Sequence, residues 1–86
     1  MVIKYSKKSL KFLSRLDNKS VLRIRTAIQG LTLSPPQGDI KPMQGYADGY
    51  KRLRVGEWRV LFRYGRQGEL EILFITEIGN RGDIYK

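Results

Sequence analysis

The 86-residue sequence contains no cysteine and no histidine. Without cysteine there is no disulfide, no thiolate nucleophile and no thiolate metal site. Without histidine there is no imidazole for acid–base work near neutral pH, and no nucleophile triad of the Ser–His–Asp kind. Acids are scarce as well, eight Asp+Glu against seventeen Lys+Arg. Glu69 and Glu71 have the spacing to share a strand face. They stand beside a turn near Arg63 and Arg66, where cross-strand ion pairs are common, so no metal site and no cofactor are expected. No apolar run approaches the ~20 residues that span a bilayer, and the opening MVIKYSKKSLKFL lacks the apolar stretch of a signal peptide. No glycine-rich phosphate loop opens a helix. The expectation is a cytoplasmic protein with no membrane contact.

What the chain has in excess is positive charge, a formal +9. Such a field suits a polyanion, with nucleic acid or an acidic protein as the usual partner. The length fits one domain, residues 1–86, whose modest core leaves it to gain stability from a partner.

Val2 to Tyr5, short and partly β-branched, predicts a first strand. Ser6 is a helix cap, followed by Leu10, Leu13 and Leu16 with Phe12 at helical spacing. Asp17 or Asn18 begins a second helix with Val21, Ile24, Ala27 and Ile28 as its apolar stripe, ended by Gly30. The outer sides carry Lys7, Lys8, Lys11, Arg15, Lys19, Arg23 and Arg25. Prolines and glycines from Leu33 to Gly49 predict an irregular crossing loop. Strands follow over Tyr50–Val55 and from Trp58 to Tyr64, then a turn at Gly65–Gly68. A strand apolar on both faces runs through Leu70, Ile72 and Phe74 with Leu73 and Ile75. The order is β-α-α-β-β-β, an α+β fold with two N-terminal helices packed on one face of an antiparallel sheet.

Between positions 51 and 66 lie Lys51, Arg52, Arg54, Arg59, Arg63 and Arg66, against the single acid Glu57. Strand alternation gives Arg52 and Arg54 one face, and Arg59 and Arg63 one face of the next strand. If the register matches, four guanidiniums point the same way, with room for Arg81. Guanidinium forks hold phosphate oxygens bidentately and keep their charge, so such a set can stabilise a phosphate in a transition state. Tyr85 offers a ring for stacking or a phenol near the site. The same pattern also suits a solvated, ion-paired sheet face with Trp58 and Tyr64 as core.

The run Tyr50-Lys51-Arg52-Leu53-Arg54-Val55-Gly56-Glu57-Trp58-Arg59-Val60-Leu61-Phe62-Arg63-Tyr64 resembles the central signature of the RelE/ParE toxin superfamily. The closing Ile78-Gly79-Asn80-Arg81-Gly82-Asp83-Ile84-Tyr85 resembles its second signature, departing at Asn80 where many relatives have histidine. The resemblance implies the toxin of a type II toxin–antitoxin system, a RelE-like endoribonuclease that cuts mRNA in the ribosomal A site. The cut would proceed by 2′-oxygen attack on the adjacent phosphate without a metal. Carried over by position, Arg59 and Arg81 stabilise phosphate and leaving oxygen, and Tyr85 orients the displaced nucleotide. Arg52 and Arg54 grip the backbone beside Arg63, and Lys51 is the one side chain there able to act as base, because arginine does not give up its proton. The alternative within the superfamily is a ParE-like inhibitor of DNA gyrase, against which the Arg59, Arg81 and Tyr85 set favours the nuclease, and the charge alone admits an RNA-binding module without chemistry. An antitoxin that wraps the basic helices with an acidic segment is the implied partner, along with mRNA on the ribosome.

Overall fold

A computed structural model of the chain describes residues 1–46 and 49–80. Strand β1 covers Val2–Tyr5, helix α1 Lys7–Leu13 and helix α2 Asn18–Gly30, followed by β2 at Asp39–Pro42, β3 at Lys51–Val55, β4 at Trp58–Gln67 and β5 at Leu70–Asn80. The five strands form one sheet in the order β1-β5-β4-β3-β2. The α+β reading therefore holds, with two corrections. The sheet is mixed, because β1 runs parallel to β5 while the other pairs are antiparallel. The segment read as an irregular loop contributes β2, which pairs Asp39 with Arg54 and Lys41 with Arg52. Proline at its end was the misleading signal, since an edge strand tolerates the missing donor.

Both helices lie on the face that carries Leu53, Val55, Val60, Phe62, Leu73, Ile75 and Ile78, and Leu13, Ile24, Ile28 and Leu31 close the core over them. Leu10, expected in the stripe of α1, is instead 53% exposed. Its place is taken by Ser9, which is fully buried. No described helix is long and apolar enough to cross a membrane.

Serine in a core needs partners, and these come from β5. The Ser6 hydroxyl donates to the Thr76 carbonyl at 2.8 Å and accepts the N–H of Ser9 at 3.0 Å, capping α1 as its sequence position implied. The two serine hydroxyls are 2.9 Å apart, and that of Ser9 reaches the Ile75 carbonyl at 3.3 Å. The Ser6 backbone N–H also reaches Ile75, at 2.9 Å. The Ser6 N–H bond continues the parallel β1–β5 ladder past the Tyr5–Ile75 pair, and the β4–β5 ladder shifts register at the same place. Leu61 pairs with Glu77 but Phe62 with Ile75, so Thr76 is an extra residue on β5.

The turns are short. Gly56 and Gly68 each take the first of two connecting positions with φ of +58° and +64°, the geometry that glycine supplies without cost in a type II′ hairpin. The last turn is thus Gly68–Glu69, and Gly65, expected within the turn, lies in β4 opposite Ile72.

Ser9→Ala should expose the weak point of this arrangement. Removing one partner from a buried hydrogen-bond set costs about 1–3 kcal/mol, and each kcal/mol lowers the melting temperature of a domain this size by roughly 4–8 °C. Urea unfolding followed by circular dichroism should give a lower midpoint with an unchanged slope.

Candidate functional site

The register of β3 on β4 decides what the basic residues can do together. Arg54 lies directly opposite Arg59, and Arg52 opposite Leu61. Since Leu53, Val55, Val60 and Phe62 point into the core, alternation turns Arg52, Arg54, Arg59 and Arg63 to the other face, which no described helix covers. The four arginines expected to share a face do share it. Lys41, opposite Arg52 on β2, and Lys4, opposite Phe74 on β1, extend the strip of cations across the sheet. Like charges placed directly opposite each other destabilise a sheet, and an anion between them reverses that sign.

The four side chains are held differently. Arg59 is 3% exposed, and its Nη1 donates to the carbonyls of Gly56 at 3.2 Å and Trp58 at 3.0 Å, which fixes it against the β3–β4 turn. Arg52 is 9% exposed and donates from Nη1 to the Asp39 carbonyl at 3.1 Å and to its carboxylate at 3.4 Å. Arg54 is exposed. The guanidinium carbon of Arg63 sits 4.3 Å from the centroid of the Phe74 ring, a stacking that guanidinium planes favour. Gly65 makes room for that ring, because a Cβ there would come within 2.8 Å of Phe74 Cε2. Sequence reasoning placed the face correctly but not the burial of Arg52 and Arg59, which depends on β2 and on the turn carbonyls.

Lys51 is not part of the row. It pairs with Phe62 on the helix side of the sheet, where its Nζ lies 5.7 Å from the centroid of the Tyr64 ring. Alternation separates it from its neighbour Arg52, so the lysine expected as a base stands on the opposite face from the arginine row. Arg81 and Tyr85 lie outside the described residues. Tyr64 itself donates to the Leu31 carbonyl at 2.7 Å, and burial raises its pKa above the usual phenol value. It is a structural bridge to the end of α2, as expected for core.

Sequence reading missed a second group on the open face. Tyr46, Tyr50, Leu61, Thr76, Glu77 and Lys8 line a cleft of about 300 Å³. The rings of Tyr46 and Tyr50 are 6.2 Å apart and tilted by 46°. Lys8 is ion-paired with Glu77. The hydrogen bond to Glu77 raises the Lys8 pKa most, followed by the Glu77 charge, with a smaller contribution from Tyr46. No spacing rule could have found this cleft, because the bulge at Thr76 is what turns Glu77 toward Leu61.

A family profile described as the ParE toxin of type II toxin–antitoxin system, parDE, matches residues 3–85. Among solved structures, a YoeB/ParE toxin from Agrobacterium tumefaciens aligns with a TM-score of 0.76 at 23% identity, covering 94% of this chain and 99% of that one. RelE in the RelB–RelE antitoxin–toxin complex from Methanococcus jannaschii aligns with a TM-score of 0.65 at 26% identity, covering 94% and 93%. YafQ from E. coli aligns with a TM-score of 0.67 at 16% identity, covering 98% and 97%. No curated protein matches in sequence.

The Lys8–Glu77 pair makes a prediction about pH. A lysine whose pKa is raised by its partner keeps the pair intact at neutral pH and releases it as pH rises through the raised value. In a ¹³C titration the Lys8 side chain should lose its proton above the ordinary lysine value, and Glu77→Gln should bring it back down. An unshifted Lys8 in the unaltered protein would show that the pair does not persist in solution.

Proposed function

This chain belongs to the ParE toxin family of type II toxin–antitoxin systems, and from that premise we propose that it is a ribosome-dependent endoribonuclease. One observation carries the reading. Arg54 and Arg59 face each other on the sheet face that no described helix covers, flanked by Arg52 and Arg63. This is a surplus of fixed positive charge at one spot, suited to the charge that develops on a phosphate during internal transesterification. The 2′-oxygen attacks the adjacent phosphorus, the 5′-oxygen leaves, and the extra negative charge spreads over the phosphoryl oxygens. Arg59, held by two carbonyls, has little freedom to lose when that charge appears, and Arg54 and Arg63 grip the neighbouring backbone. Arg81 and Tyr85 enter by resemblance to the family's closing signature, as partners for the leaving oxygen and the displaced base.

No residue of the row can remove the 2′ proton, because arginine stays protonated, and Lys51 faces away. With no base in the row among the described residues, the reading draws on geometry supplied from outside. A ribosome that bends mRNA toward in-line attack would supply it, since orientation alone can contribute about 7–11 kcal/mol. The cognate antitoxin is the second partner. RelE from Methanococcus jannaschii was solved with its antitoxin RelB, and here the exposed Lys7, Lys8, Lys11, Arg15, Lys19, Arg23 and Arg25 of the helix side suit an acidic wrapping segment. Cytoplasmic action follows from the same reading. The family description also favours a second one, a gyrase inhibitor that leaves RNA intact.

Primer extension on a reporter mRNA, in a purified translation reaction with ribosomes present or omitted, separates the two. In-frame cuts that need ribosomes and weaken about 100-fold or more in Arg59→Ala and Arg81→Ala are the expected result. Strong cutting of naked RNA would count against ribosome dependence. Absence of any cut, together with inhibited supercoiling that Arg81→Ala leaves unchanged, would select the gyrase reading.

A further inference from the structure

The cleft beside the arginine row has a chemistry of its own. Its floor is Leu61 and Thr76 on the open face of β4 and β5, with the Thr76 hydroxyl turned back to the Leu61 carbonyl at 3.0 Å. One side carries Tyr46, 41% exposed, with Tyr50 next to it, and the other carries the Lys8–Glu77 pair. It is shallow and open to solvent, and its volume of about 300 Å³ is at the small end for a ligand site, room for one flat ring system lying on its surface. Leu61 is two residues along β4 from Arg59 and directly opposite Arg52, so the cleft opens roughly 7 Å from the guanidinium row.

We propose that this cleft is a pocket for a single unpaired nucleobase, seated on Tyr46 and read by the carboxylate of Glu77, next to the phosphate held by the arginines. The proposal rests on the RNA-cleaving reading and adds what that reading leaves open, the means by which one base is chosen over another. An aromatic face accepts any base by stacking. A carboxylate accepts hydrogen bonds only, so it prefers an edge that presents donors. Guanine offers two adjacent ones, N1–H and the N2 amino group, matched to the two oxygens of Glu77. Lys8 need not leave, because a carboxylate has about four acceptor positions and the ammonium uses only part of them. An acidic protein segment is a poorer occupant, since Glu77 would repel it at the point where Lys8 is already paired.

The test uses the whole protein and short single-stranded RNA at low salt. In the first arm an oligonucleotide carries 2-aminopurine at one position and a dye at the 5′ end, so that polarisation reports binding and 2-aminopurine quenching reports stacking. The unaltered protein and Tyr46→Phe should bind and quench. Tyr46→Ala, a change at an exposed side chain that leaves the core untouched, should bind about tenfold more weakly and lose the quenching. In the second arm one central base of an oligouridylate is varied. Guanine should bind about tenfold better than uracil, and Glu77→Gln should erase that preference while Tyr46-dependent quenching remains.

Binding without quenching, or quenching undiminished in Tyr46→Ala, overturns the pocket. So does a base preference that Glu77→Gln leaves unchanged. These outcomes leave the nuclease reading standing if translated mRNA is still cut. Failure of the unaltered protein both to bind RNA and to cut translated mRNA overturns the pocket and the nuclease reading together.

Discussion

The extra residue in β5 is the constraint on which the rest of this structure depends. Ile75 and Ile78 are both buried in the same core, although residues three apart on a regular strand point to opposite faces. Inserting Thr76 between the Phe62–Ile75 and Leu61–Glu77 pairs makes both possible. Beside the insertion, the carbonyls of Ile75 and Thr76 accept from the residues that link β1 to α1. Ser6 and Ser9 supply the donors, so the start of α1 is anchored at the bulge rather than along a smooth apolar face. A seven-residue helix is too short to hold itself together by its own hydrogen bonds, and these contacts explain why it forms here. One irregularity thus seats α1 on one face and turns Glu77 toward Leu61 on the other.

The open face shows a different balance of forces. Arginines opposite one another lower the stability of the strand pair, and burying Arg59 and Arg52 adds a desolvation cost. The chain offsets this with local acceptors, turn carbonyls for Arg59 and the Asp39 carbonyl and carboxylate for Arg52. For Arg52 the ionic contribution is modest, since Asp39 lies 3.4 Å away with half its side chain in solvent. Carbonyls orient a guanidinium without cancelling its charge. The net field at the surface therefore stays positive, which is the property an anion-binding face requires.

Much of this was legible in the sequence, and the limits are physical. Period-two alternation fixed the faces of Arg52, Arg54, Arg59 and Arg63 because each strand keeps its pleat through the basic run. The buried stripe of α2 was equally plain, with Ile24 and Ile28 at helical spacing and both fully enclosed. Alternation also carried the evidence against Lys51 beside Arg52, which the resemblance to a lysine-bearing motif outweighed. Hidden features were those set by pairing between distant segments: β2 with its proline, the parallel entry of β1 next to β5, and the bulge. Leu10 and Ser9 misled for the same reason. Hydrophobicity assigned the leucine to the core, but the position against β5 is taken by a hydroxyl that bonds Ser6 and the Ile75 carbonyl.

Charge also governs how the domain lives with its partners. Net +9 on 86 residues opposes compaction through self-repulsion, and a core of this size has little stability to spare. Cations are divided between the arginine row of the open face and the outer side of the helices. On the proposed reading, an acidic segment bound to the helix side relieves repulsion without entering the row, and stabilises the fold by mass action as the logarithm of its concentration over its dissociation constant. On the same reading, RNA on the open face relieves the repulsion between Arg54 and Arg59. On the proposed reading these two ligands compete through the field of the whole molecule even where they do not touch. Salt screens charges beyond roughly 8–10 Å, so this coupling is confined to places where the faces approach each other. Lys8 is the residue at that seam, exposed on the first turn of α1 yet paired to Glu77 at the mouth of the open-face cleft. On the proposed reading, an acidic partner that draws Lys8 away leaves the Glu77 carboxylate uncompensated, and the cleft then repels the phosphates of an RNA bound along the arginine row.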